Sequence, residues 1–321
     1  MAIGAQELVD AAAERGCFEE QIDCVFATSL IDAAALRAGL PKGFRDIPLV
    51  LYMHENQVAY PSCDPRDASF AFTNLQSVLT ADLAIFNSQW NLDSFIDGIS
   101  SLLKQSPDTT LGDVEARIGN NATVAWVPVE APPVDSRVLH NTNLKGRSIP
   151  TTVVWPHRWE HDKGPDRLLE IAREYTEPLN LRWIILGEQF SDIPESVRTF
   201  SDEFADRIDH MGYVESKGEY WHWLHKADWV LSTANHEFFG IAVVEALFAG
   251  CLPWLPEKLS YRELLPDCGR GLTPANPPED PEPVKEAIAA HLKTACAPQA
   301  VDRIDELIVN TLNNSSLIHV S

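Results

Sequence analysis

Basic residues are scarce in this chain. Its 321 residues include 25 Lys and Arg against 47 Asp and Glu, a formal net charge of −22. That balance excludes broad electrostatic adhesion to nucleic acid or to anionic membrane, because both require clustered Lys and Arg. Long apolar runs are missing too: none approaches the ~18 residues that span a bilayer, and no charged-then-apolar leader opens the sequence. The six cysteines, Cys17, Cys24, Cys63, Cys251, Cys268 and Cys296, contain no C-x2-C pair and join no His/Cys cluster of zinc spacing. They read as reduced thiols, mostly in the core, of a cytoplasmic protein without a membrane partner. A G-x-G-x-x-G fingerprint, a P-loop and a G-x-S-x-G elbow are all absent. This weakens nicotinamide or flavin, nucleotide-hydrolysing and hydrolase readings.

What is present is alternation. Apolar runs at Ile22–Thr28, Pro48–His54, Leu83–Asn87 and Thr123–Pro128 read as strands. So do those at Thr151–Trp155, Leu181–Gly187, Ile208–Met211, Trp229–Ser232 and Cys251–Trp254. Several lack polar alternation, as strands covered on both faces do. Helical patterns separate them at 67–80, 91–103, 165–175, 195–204, 217–226 and 239–249. The fold class is therefore α/β with parallel sheets. The polar, aperiodic stretch Val134–Pro150 marks a boundary between domains at 1–140 and 150–321. A proline-rich connector, 274–283, precedes two terminal helices over 284–297 and 301–312. One helix, 5–15, comes before the first strand, so the N-terminal domain reads as short, lacking a usual opening strand and glycine-bearing loop.

Chemistry-bearing residues gather where strands end. After the strand at 229–232 comes Ser232-Thr-Ala-Asn-His-Glu-Phe-Phe-Gly-Ile241, with Glu237 and Glu245 eight positions apart. A helix beginning near Phe239 would put Glu237 at its positive end and Glu245 about two turns in, on the same side. Free N–H groups there suit a phosphate, and a carboxylate deeper in suits vicinal ribose hydroxyls. An amphipathic helix with two incidental glutamates has the same pattern. In Trp155-Pro-His-Arg-Trp-Glu-His-Asp-Lys-Gly164, the pair Arg158 and Lys163 matches a diphosphate leaving group. Gly187 with Glu188, and Gly212 with Tyr213, end further strands as ordinary turns or as nucleotide contacts. His54, Glu55, Asn56 and Gln57 follow a buried strand. His54 could position or deprotonate an acceptor hydroxyl, and Tyr60 lies just beyond. Asn87 and Ser88 end the next strand, with Ser88 equally suited to cap a helix.

In order along the chain stand His54-Glu-Asn-Gln, Asn87-Ser, His157-Arg-Trp-Glu-His-Asp-Lys163, Leu186-Gly-Glu, Ser232-Thr-Ala-Asn-His-Glu-Phe-Phe-Gly240 and Leu259-Ser-Tyr-Arg-Glu-Leu264. Together they resemble the tRNA-queuosine α-mannosyltransferase family, over about Ile22 to Pro266. That family is similar to retaining glycosyltransferases of the GT-B class, with two facing Rossmann-like domains and an E-x7-E pattern. The resemblance implies transfer of mannose from GDP-mannose to queuosine in the tRNA anticodon, with retention. It implies a donor site of Arg158, Lys163, Gly187, Glu188, Gly212, Tyr213, Glu237, Phe238, Phe239, Gly240, Ile241 and Glu245. Of these, Arg158, Lys163 and Glu237 act with His54 in catalysis. The acceptor side would be His54, Glu55, Asn56, Gln57, Tyr60, Asn87 and Ser88. No D-x-D occurs, so metal independence is expected and no cofactor beyond the nucleotide sugar. The tRNA partner runs against the net charge. Other readings are a retaining glycosyltransferase on a small or lipid acceptor, an inactive nucleotide-binding GT-B protein, and an epimerase or phosphorylase on the same architecture.

Overall fold

The computed structural model describes residues 2–59, 66–105, 112–132, 150–188 and 193–318. The chain divides into two compact units, Met1–Val127 with Ala300–Ser321, and Pro128–Gln299. The division falls earlier than the polar stretch at 134–150 suggested. The last 22 residues belong with the first unit, which sequence adjacency could not reveal.

In the first unit, four parallel strands lie in the order β1-β2-β3-β4: β1 (Val25–Thr28), β2 (Leu49–Met53), β3 (Leu83–Phe86) and β4 (Ala122–Val124). All five residues of β2 are buried, which is why it reads as an unbroken apolar run. Leu49, Leu51, Met53 and Phe86 share a core with Leu75 and Val78 of α3 (Arg66–Thr80) and with Phe95 and Ile99 of α4 (Gln89–Gln105). Burying each such side chain contributes about 1.5–3 kcal/mol. Helix α1 spans Ala2–Glu14. Two short helices escaped the periodicity, α2 (Ala33–Gly39) and α5 (Val114–Gly119). Their signals are N-caps: Asp32 accepts from Ala35 N at 2.9 Å, and Asp113 from Ala116 N at 2.9 Å.

Five parallel strands form the second sheet, in the order β7-β6-β5-β8-β9. They are β5 (Thr151–Pro156), β6 (Leu181–Leu186), β7 (Ile208–Gly212), β8 (Trp229–Leu231) and β9 (Leu252–Trp254). Helices α6 (Pro165–Tyr175), α7 (Glu195–Glu203), α8 (Lys217–Lys226) and α9 (Ile241–Phe248) connect them. After β9 come α10 (Tyr261–Leu264), α11 (Pro281–His291) and α12 (Ala297–Ile318). The end of the proline-rich connector is thus helical, because Pro281 stands at the first helical position, where its missing N–H costs nothing. Trp155, Trp183 and Trp229 are fully buried. Two of these indoles find partners: Trp155 Nε1 donates to Thr233 Oγ1 at 2.9 Å and Trp183 Nε1 to Thr176 Oγ1 at 3.0 Å.

The described cysteines are free thiols, but only Cys251 is buried; Cys17 and Cys268 are exposed. This corrects the expectation of core thiols: Cys17 and Cys268 stand in the short 3-10 turns Cys17–Glu19 and Asp267–Gly269, outside the strands and long helices that build the cores. Among the described residues no helix is long and apolar enough to cross a membrane.

Candidate functional site

Strand order decides where a ligand can sit. From β5 the chain winds one way through β6 and β7, then returns to place β8 on the other side of β5. The carboxyl ends of β5 and β8 therefore diverge from a switch point, where open parallel sheets form their crevice. Two loops leave that point: 157–164 after β5 and 232–240 after β8.

These loops are stitched to each other. Asn235 N and His236 N donate to Asp162 O at 2.8 and 3.3 Å. Thr233 Oγ1 donates to Lys163 O at 2.8 Å. Gly164 adopts φ 65°, and a Cβ there would stand 2.2 Å from Thr233 O, so only glycine permits the approach. At the centre is Lys163, which is 8% exposed. Its Nζ lies 3.1 Å from Asp162 Oδ2, 3.3 Å from Glu237 Oε2 and 3.2 Å from His236 O. Burial acts to lower the Lys163 pKa, but the charges of Glu237 and Asp162 outweigh it and hold the ammonium above its ordinary value. Lys163 is a fixed cation.

Two imidazoles beside it, His157 and His236, are held neutral. His157 is buried and its pKa falls to about 3, through desolvation and then the charge of Lys163. His236 falls to about 4, again by desolvation first and Lys163 second, partly offset by Asp162. His157 Nε2 and Trp159 Nε1, on the same loop, are buried and have no hydrogen-bond partner among the described residues. Arg158 differs from Lys163. Its side chain is half exposed and meets Glu160 at 3.2 Å, so it can turn toward a ligand.

Helix α9 begins at Ile241, two residues later than periodicity suggested, because Gly240 takes φ 94° and breaks the helical path. Glu245 therefore lies in the second turn rather than two turns in. Phe238 and Phe239 are buried, so only their backbone can meet a ligand; Ile241 is exposed. The Leu259–Leu264 string braces this turn: Ser260 Oγ donates to Phe239 O at 3.0 Å, and Tyr261 Oη lies 2.8 Å from Ser232 Oγ. Glu245 is buried and receives Lys217 Nζ at 2.7 Å and Tyr220 Oη at 2.8 Å. Both partners went unremarked in the sequence because they stand on α8, with no motif around them.

The glycine turns also converge. Gly187 N donates to Gly212 O at 3.2 Å, and Trp159 N to Glu188 O at 3.3 Å. With φ 140°, a Cβ on Gly187 would lie 2.0 Å from His157 O. The ends of β5, β6 and β7 are thus tied together, with Glu188 and Tyr213 exposed at the rim.

In the first unit the polar run after β2 serves mainly the chain itself. Asn56 is fully buried, and its Nδ2 reaches Asn91 Oδ1 at 2.8 Å and Ser94 Oγ at 3.1 Å. Asn87 Nδ2 donates to His54 O at 2.7 Å. Ser88 Oγ accepts from Asn91 N at 2.9 Å and so caps α4. Gln57 N donates to Asn74 Oδ1 at 2.9 Å and Gln57 Nε2 to Glu55 Oε1 at 3.1 Å. Asn91 is the hub, and sequence reading missed it; its signal is the i, i+4 spacing from Asn87. His54 is exposed at the strand end, its ring tilted at 58° to that of Tyr52 with centroids 4.8 Å apart, and the surrounding protein lowers its pKa by desolvation. Tyr60 lies outside the described residues.

Comparison with known proteins bears on the family. The description "tRNA-queuosine alpha-mannosyltransferase N-terminal" matches residues 1–129, and "Glycosyl transferases group 1" matches residues 145–304. A Drosophila melanogaster protein named tRNA-queuosine alpha-mannosyltransferase is 34% identical over 251 residues, 75% of this chain. The chain belongs to the tRNA-queuosine alpha-mannosyltransferase family. It spans 65% of that relative's length. Among solved structures, Anabaena HepE in complex with UDP and glucose superposes with a TM-score of 0.67 at 17% identity, over 95% of this chain and 81% of that one. The trehalose 6-phosphate synthase of Burkholderia multivorans gives 0.66 at 12% identity, over 99% and 76%. At such identities the likeness speaks to the fold, which is GT-B. Among the described residues no group of three or more His, Cys, Asp or Glu is placed to hold a metal ion.

Proposed function

We propose that this chain is a retaining glycosyltransferase that moves mannose from GDP-mannose to queuosine in tRNA, working in the cytoplasm without a metal. The observation that carries the reading is the cation Lys163 held 3.3 Å from Glu237 at the switch point between β5 and β8. The relative's printed name supplies the sugar and the acceptor.

In this reading Lys163, Arg158 and the backbone N–H groups at 238–241 receive the diphosphate. Lys163 with Asp162 and Glu237 sums to one negative charge. Lys163 alone therefore cannot hold a diphosphate. Arg158 and the positive end of α9 must supply the remainder. Their advantage grows in the transition state, as charge builds on the departing nucleotide. Glu237 contacts the donor sugar, Glu245 the ribose, and the Gly187–Glu188 and Gly212–Tyr213 turns the base. On the first unit, His54 approaches the acceptor hydroxyl. Its lowered pKa keeps the imidazole neutral near pH 7, fit to accept a hydrogen bond from that hydroxyl and orient it. Asn56, Asn87 and Ser88 support that loop from beneath. The acceptor attacks on the face the diphosphate leaves, and a phosphate oxygen takes its proton.

Melting curves with GDP, UDP and ADP test the donor half. GDP at a hundredfold excess over its dissociation constant should add about 2.7 kcal/mol of stability, with smaller gains from the others. Lys163→Ala should lower turnover on tRNA roughly tenfold to a thousandfold. Unchanged turnover and donor affinity in that variant would remove Lys163 from the site.

A further inference from the structure

Lys217 stands where its own helix does not favour it. It occupies the first position of α8, directly after the capping residue Ser216, whose Oγ accepts from Glu219 N. A positive charge there opposes the helix dipole and costs a few tenths of a kcal/mol or more. Yet its Nζ is placed 2.7 Å from Glu245 Oε1, while Tyr220, one turn along the same face, donates from Oη to Oε2 at 2.8 Å. The ammonium also lies over the rings of Tyr220 and Trp221, at 5.5 and 5.2 Å from their centroids. Glu130 is the other carboxylate that faces it, at 4.0 Å. One buried carboxylate is thus gripped at both oxygens by a neighbouring helix.

A carboxylate has about four acceptor positions, two on each oxygen. Lys217 and Tyr220 take one from each oxygen. Among the described residues no other side chain donates to this carboxylate, which leaves one acceptor position on each oxygen, a matching pair for two vicinal hydroxyl donors. The Lys217 side chain is 53% exposed, so the approach from its side stays open. Burial and the adjacent Glu245 raise the Tyr220 pKa far above its ordinary value, and its hydroxyl remains a donor at any working pH.

We infer that Lys217 and Tyr220 are positioning residues that fix the Glu245 carboxylate in a cis-diol-accepting orientation and so set a preference for ribonucleotide over deoxynucleotide donors. This rests on the assignment of Glu245 to the ribose, and it adds the residues that create the selectivity.

The test is isothermal titration of the full chain with GDP and with 2′,3′-dideoxy-GDP. Two hydroxyls bonded to a charged carboxylate should favour GDP by about tenfold or more in the wild type. Lys217→Met and Tyr220→Phe keep the bulk of each side chain and remove its hydrogen bond. Each should cut the preference to about threefold or less, through weaker GDP binding, with dideoxy-GDP affinity close to wild type. Lys217→Arg, which retains a charged donor, should recover part of the loss. Melting temperatures of the variants establish that they fold. Full preference in both variants would overturn the positioning role, as would an equal loss of affinity for both nucleotides. Wild-type binding of both forms alike would remove Glu245 from the ribose and this inference with it, leaving the nucleotide site standing. Wild-type binding of neither would remove the site itself.

Discussion

His157 shows how one residue carries both stability and site. It follows β5, is buried, and keeps its ring neutral with a pKa of about 3. His236, across the Lys163 contact, behaves likewise at about 4. In the unfolded chain an imidazole binds its proton below about pH 6.5. Between that value and about 4 the unfolded state therefore holds more protons than the folded one. Stability is intact above about pH 6.5 and falls as pH is lowered through this window, by roughly 1.4 kcal/mol per pH unit for each imidazole at the steepest. Urea unfolding at pH 7.5 and pH 5 measures this. Replacing both histidines by glutamine should leave a visibly shallower pH slope, whatever the variant's stability at pH 7.5. An identical slope would assign the acid lability to other groups. The motif His157–Lys163 was plain in the sequence, but the opposite fates of its members were not. Lys163 is a locked cation, His157 a neutral ring and Arg158 a half-exposed arm, because the pKa of each depends on burial and on neighbours far away in sequence.

At the scale of elements, the asparagine network under the β2 and β3 ends deserves the clearest test. Asn91 Nδ2 donates to Met53 O at 2.9 Å and to Asn87 Oδ1 at 2.8 Å, while its own Oδ1 accepts from Asn56 at 2.8 Å. Asn91→Ala would leave several buried polar groups without partners, at about 1–3 kcal/mol each. A loss of about 2–4 kcal/mol in unfolding free energy, read from urea titration, is expected, together with weaker acceptor turnover, since Asn87 fixes the backbone at His54. A loss under 1 kcal/mol would show that water replaces the amide at little cost. The long strands and helices were legible because their apolar periods are strong. Helix α6 lies where expected, at 165–175. Helices α2, α5 and α10 were not, because seven residues or fewer carry too little period, and only tertiary packing stabilises them. The start of α9 moved for a different reason. Phe239 continues the apolar pattern, yet its neighbour Gly240 adopts a left-handed conformation that no pattern reports.

On the scale of the whole molecule, charge constrains the proposed acceptor. With a net charge of −22, a tRNA can be held only through few phosphate contacts and through the shape of its loop. Its affinity should therefore depend weakly on salt, with a log–log slope no steeper than about −3. Filter binding between 50 and 200 mM salt reads this directly, and a slope steeper than about −6 would reveal a basic surface that the composition conceals. The two-unit organisation was also only partly readable. Residues 300–321 join the first unit, separated from its other end at Val127 by the 172 residues of the intervening unit Pro128–Gln299. Strand-and-helix alternation, the parallel sheets and the strings bearing Arg158, Lys163, Glu237 and Glu245 were all determined by the sequence alone, because periodicity and local motif are properties of neighbours along the chain. Strand order was decided only in three dimensions, and with it the switch point that brings Lys163 to Glu237 and the grip of Lys217 and Tyr220 on Glu245. Those contacts join residues 25 to 74 positions apart, and what selects them is the burial of apolar faces, which no local window contains.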